Sequence, residues 1–149
     1  MPYLRPLLAA LALLLPASQP GADRDEKPAL PGGADDAAWS GIGPEEVLHF
    51  TGTEPFWGGE VGLGTLTWET PDNPGGSQTP VERFAGRNGL GFSGTIDGSP
   101  IEMAVSQAQC SDGMSDRTYP FAVTVRLGDE TLRGCGWTDQ QRFSGPEHP

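Results

Sequence analysis

The sequence predicts an all-β domain closed into a small antiparallel up-and-down barrel of about eight strands. Three observations predict it. From Glu45 onward, short runs rich in Val, Thr, Phe and Trp are divided by Gly, Asn and Asp. The pairs Asn88-Gly89 and Asp97-Gly98 are hairpin signals, because a type I′ turn needs positive φ at both central residues. Short strands that follow one another through tight turns would also leave bare edges as an open sheet, and closure removes those edges.

In chain order, residues 1–18 read as a signal peptide. Arg5 supplies the positive start, and Leu7 to Leu15 is an apolar run too short to span a bilayer core of about 30 Å as a helix. No clean Ala-x-Ala marks the cut, which leaves cleavage after Ala17, Ser18 or Ala22 open. No cysteine stands there to carry a lipid. Residues 19–44 mix Pro20, Pro28, Pro31 and Pro44 with Gly, Ala and acids, and the large apolar residues among them are Leu30, Trp39 and Ile42. That composition reads as a disordered linker, with Trp39 either docked on the domain edge or solvated.

The barrel domain is expected over 45–143, with 144–149 as a tail. Val47 to Phe50 opens it. Trp57 to Leu63 and Thr65 to Glu69 form a hairpin around Gly62-Leu63-Gly64, with Leu66 and Trp68 on one face. Pro71 to Pro80, with Gly75-Gly76 and Ser77, reads as a surface loop. Val81 to Ala85 and Leu90 to Ile96 flank Asn88-Gly89. Ile101 to Gln109 suits strand or helix by composition, and strand is favoured because Asp97-Gly98 turns the chain back on its neighbour. Phe121, Val123, Val125 and Leu127 alternate with smaller or polar residues, Gly128-Asp129 turns the chain, and Thr131 to Trp137 returns.

Cys110 and Cys135 are the only cysteines, and export makes a disulfide the default for such a pair. Closing a loop of 25 residues contributes roughly 3.5 kcal/mol in the chain-entropy model. Between them lies the polar stretch Ser111 to Thr118, held out from the scaffold as a loop. Loops placed in this way carry function more often than scaffold residues do. The net charge is −11, or −12 once Arg5 leaves with the signal. That charge repels nucleic acid and anionic lipid and is compatible with a basic partner.

Catalysis is not expected. His49 is the one histidine in the domain, and beside Phe50 on a strand it reads as structural. Gly91-Phe92-Ser93-Gly94-Thr95 lacks the second glycine of a nucleophile elbow. Asp112 and Asp116, with Ser111 and Ser115, are oxygen donors of the type a hard cation takes, but no EF-hand pattern surrounds them. Neither a metal nor a cofactor is expected. The alternative use of Asp112 is to cap a turn, with Asp116 paired to Arg117 or to backbone amides. Pro55-Phe56-Trp57 puts neighbouring aromatics on opposite faces of a strand. One therefore enters the core, and Phe56 or Trp57, with Tyr119, could rim the polar loop.

Two stretches resemble a family of bacterial envelope proteins: Gly52-Thr53-Glu54-Pro55-Phe56-Trp57, and Cys110-Ser111-Asp112-Gly113-Met114-Ser115-Asp116-Arg117-Thr118-Tyr119-Pro120-Phe121 closed by Leu132-Arg133-Gly134-Cys135. Members are often lipoproteins, and some sit beside META-type or lysozyme-inhibitor-type domains. The resemblance implies an envelope setting and a paired Cys110–Cys135, and it carries no activity. This chain departs from the lipoprotein members in lacking the lipidated cysteine.

The expectation is a periplasmic or secreted, non-enzymatic monomer that binds through Ser111, Asp112, Ser115, Asp116, Arg117, Tyr119 and Trp57. It has no membrane span after cleavage. One candidate partner is a basic protein such as c-type lysozyme, with Arg117 reaching between its catalytic acids. The alternatives are a small apolar ligand inside the barrel and a structural envelope role without a discrete ligand.

Overall fold

The computed structural model describes residues 37–146. The predicted signal segment 1–18, residues 19–36 of the predicted linker and residues 147–149 of the tail lie outside the described residues. Eight strands follow in chain order: β1 (Leu48–Gly52), β2 (Trp57–Gly62), β3 (Thr65–Thr70), β4 (Asn73–Ala85), β5 (Gly89–Ile96), β6 (Ser99–Cys110), β7 (Tyr119–Leu127) and β8 (Glu130–Thr138). Each pairs antiparallel with the next and β1 pairs with β8, so the sheet is a closed barrel. No helix occurs among the described residues.

Turn chemistry sets the register. Leu63-Gly64 and Asp97-Gly98 are two-residue connections with both φ values positive, as type I′ requires. Gly128 takes positive φ ahead of Asp129 between Leu127 and Glu130, the order a type II′ turn uses. The hairpin at Asn88-Gly89 forms differently from the expectation. Neither residue has positive φ; Ala85 pairs with Leu90, and the Gly86 N–H donates to the Gly89 carbonyl across a four-residue connection.

Two further expectations change. Residues 71–80, expected as a surface loop, belong largely to β4, where Thr65 opposes Pro80 and Trp68 opposes Ser77. Their Pro, Gly and Asn content argues against a strand locally, yet β3 needs a partner for its outer edge, and that pairing overrides the local preference. A bulge between Trp68 and Thr70 absorbs the misfit. The end of the predicted linker also folds: Ile42 is 2 % exposed and belongs to the core, and Trp39 packs against it. Residues 101–109 are strand, paired on both sides as far as Ser106, with a register shift between Gln107 and Cys110.

Alternation along the strands separates two faces. Leu48, Phe50, Trp57, Val61, Leu66, Leu90, Phe92, Met103, Phe121 and Val123 are buried together inside the barrel. Glycines make room for the rings. Gly52 and Gly134 face each other across β1 and β8, and a Cβ on either would lie within 3 Å of the Trp57 indole. Trp57 fills that space and stacks on Trp68 at 5.0 Å between centroids.

The two mouths differ. At the proximal end, where β1 begins, the Trp39 N–H donates to the Gly86 carbonyl at 2.7 Å and the Trp39 ring meets Phe121 edge-on at 6.2 Å. Arg83 donates to the Ile42 carbonyl at 2.9 Å. Residues 39–42 thus plug the barrel. At the distal end lie the tight turns after β3, β5 and β7, together with the longer turn 53–56 after β1.

Candidate functional site

The polar loop is not held out from the scaffold; it lies against the outer wall. In β8, Gly134, Gly136 and Thr138 oppose the inward-facing Gly52, Phe50 and Leu48. Cys135 and Trp137 alternate with them and therefore point outward. Cys135 is nonetheless fully buried, because Cys110 and the following loop cover it. The Cys110–Cys135 disulfide, with Cα atoms 5.5 Å apart, fastens the end of β6 onto β8 across β7. Such a bond belongs to a non-cytoplasmic environment.

Asp112 organises the loop internally. Its Oδ1 accepts from the Met114 and Ser115 amides at 3.0 and 2.8 Å, and its Oδ2 accepts from the Ser115 hydroxyl at 2.6 Å and the Tyr119 hydroxyl at 3.2 Å. Partial burial raises the carboxyl pKa. The hydrogen bonds from Ser115, Met114 and Tyr119 outweigh that effect and hold the pKa at about 2. The Ser111 hydroxyl accepts from the Gly113 amide at 3.2 Å. Asp112 therefore acts as the capping residue of a turn.

The loop is tied outward at two places. Thr53, in the β1–β2 turn, donates from Oγ1 to the Asp112 carbonyl at 3.1 Å. The C-terminal segment pairs with the loop through reciprocal backbone bonds between Thr118 and Ser144, both 2.9 Å. Arg117 sits over the Phe143 ring at 4.5 Å and donates from Nε to the Pro146 carbonyl at 2.8 Å. Beneath it, Tyr119, Trp137 and Phe143 make a small aromatic cluster with centroids 5.5 to 5.6 Å apart.

The predicted site residues thus divide. Asp112, Ser115 and Tyr119 form one network, with Tyr119 buried as its base rather than exposed as a rim, and Ser111 holds the adjoining Gly113 amide. Arg117 braces the tail, and Asp116 is exposed on the loop surface. Trp57 is 4 % exposed inside the barrel, so its expected place in the rim passes to Phe56, which is 53 % exposed. The glycines opposite Trp57 drew the larger ring inward. Sequence reasoning missed Thr53, Phe143 and Met114. An apolar Met114 amid polar neighbours was the one available signal, and it is 66 % exposed.

His49 stacks on Trp137 at 5.5 Å, with Nδ1 3.7 Å from Glu60 and Nε2 3.8 Å from Asp139. Both ring nitrogens face carboxylates on the outer wall. No family model, curated protein or solved structure matches the chain.

Proposed function

We propose that the chain is an exported, non-enzymatic binding module, periplasmic or secreted, that recognises a protein partner with the face formed by turn 53–56 and loop 111–118. The observation that carries this reading is the tie between the two segments through Thr53 and the Asp112 carbonyl. It presents Phe56 and Met114 to solvent on backbone already fixed by the Asp112 network. A preorganised loop loses little conformational entropy on binding, and exposed large apolar side chains on it supply contact area. The charge of −12 without the signal segment favours a basic partner through faster encounter.

Lysozyme of the c-type is the first such protein to test. Arg117 is engaged with Phe143 and Pro146, so recognition would rest on Phe56, Met114 and Asp116 rather than on an arginine entering the enzyme's cleft. Native mass spectrometry of the oxidised mature chain with lysozyme should show a one-to-one complex that Met114→Asp weakens at least tenfold. A complex indifferent to Met114→Asp would move the site elsewhere. A small molecule carried from the cell and released on denaturation, with no protein complex, would replace this reading with a ligand-binding one.

A further inference from the structure

At the distal mouth, next to the Trp57–Trp68 stack, lies a cavity of about 200 Å³. Trp68, Ile96 and Leu127 give it apolar walls, and Asn73, Ser77 and Asp97 give it a polar rim. The position follows from the register. Ser77 opposes Trp68 and therefore points into the barrel, but it stands where β4 overruns the sheet and the core side chains have ended. Its hydroxyl reaches the turn instead.

The rim is wired in one direction. Asn73 Nδ2 donates to Ser77 Oγ at 3.1 Å, and Ser77 Oγ donates to Asp97 Oδ2 at 3.0 Å. The Ser77 hydroxyl proton is thus committed to the carboxylate and one Asn73 N–H to Ser77, while the Asp97 oxygens and the Asn73 carbonyl still offer lone pairs and the second Asn73 N–H still offers a donor. Asp97 is the one charged group in the lining, which also includes the Thr70 and Ser99 hydroxyls, so the mouth disfavours anions and suits a ligand that brings several hydroxyls on one edge and a face of C–H bonds on the other. The volume equals on the order of seven waters at ~30 Å³ each, the bulk of one ring rather than a chain. Barrel mouths are among the usual places for such sites.

We infer that the distal mouth bounded by Trp68, Ile96, Leu127, Asn73, Ser77 and Asp97 is a binding site for a neutral pyranose sugar, with adjacent ring hydroxyls on Asp97 and the ring's C–H face against the apolar wall. The site is separate from the protein-recognition face and stands without it. A single ring held by a few hydrogen bonds binds weakly, with a Kd of about 1–10 mM.

The probe is methyl β-D-glucopyranoside, titrated into the oxidised mature chain and followed by two-dimensional amide and indole NMR. Saturable shifts should appear at the Trp68 indole N–H and at the amides of Ser77, Asp97 and Ser99, while the amides of Met114 and Ser115 stay still. Asp97→Asn should weaken binding at least tenfold, since hydrogen bonds to a charged acceptor are about twice as strong as neutral ones. Asn tolerates the positive φ of 47° at this turn, and the same spectra report whether the variant is folded. Glucuronic acid should not bind. Unsaturable shifts, saturable shifts away from the mouth, equal affinity of Asp97→Asn, or binding of glucuronic acid as tight as that of the glucoside would each overturn the assignment.

Discussion

At the proximal mouth the barrel is shut by apolar packing, with Ile42 in the core and Trp39 across Phe121. At the distal mouth the core stops at Trp57 and Trp68, and the remaining space is rimmed by Asn73, Ser77 and Asp97. The same barrel therefore has one end closed by burial and one end finished with hydrogen-bonding groups. Core burial supplies stability in proportion to the apolar area removed from water, whereas exposed polar rims contribute little to it. The loop layer on the outer wall belongs with the first kind of construction: it is fastened by a disulfide and by Asp112, and what it leaves free is its tip.

The largest effect that would break this comparison is loss of the fastening. Replacing Cys135 by Ser should lower stability by about 3 kcal/mol, read as a fall in the denaturant midpoint with reversible unfolding. An unchanged midpoint would remove the disulfide from the account. Ile42→Ala should cost about 2–4 kcal/mol, because it leaves a hole in the core at the plugged end. A cost under about 0.5 kcal/mol, the range of surface changes, would show that residues 39–42 rest on the barrel rather than closing it.

Asp112 gives a smaller, pH-dependent effect. Its folded pKa of about 2 lies below the ordinary 3.8, so its contribution is fully present above about pH 4 and is lost as pH falls toward 2. Asp112→Asn should cost about 1 kcal/mol at neutral pH, after allowance for screening at a partly exposed site. The gap in melting temperature between the two proteins should close as pH is lowered from 5 to about 2; a gap independent of pH would mean the carboxylate charge is not what holds the turn. Smallest of all, Asp97→Asn at the open mouth should change stability by less than about 0.5 kcal/mol while weakening sugar binding. A large loss of stability there would make the two ends alike.

Much of the barrel is legible in local sequence. Phe121, Val123 and Val125 alternate with outward residues and sit inside, and Leu63-Gly64 and Asp97-Gly98 make the tight turns their composition suggests. Asn88-Gly89 and residues 71–80 depart from their local pattern for one reason. In both, pairing with a neighbouring strand decides the backbone, and Gly, Asn and Pro tolerate the result without announcing it. The candidate site was half legible. The self-contained Asp112 turn is written in Asp112-Gly113-Met114-Ser115, since side-chain capping acts over three residues.

The sequence by itself determined the strand count and sequential order, the single cysteine pair and the capped turn, because each rests on alternation, composition or contacts within a few residues. Tertiary structure alone decided that the loop lies on the wall, that Phe56 rather than Trp57 faces solvent, and which mouth is plugged. Those outcomes depend on pairs such as Thr53 with Asp112, 59 positions apart, and Arg83 with Ile42, 41 apart. No local pattern encodes them. They exist only once β1 meets β8 and the barrel is closed.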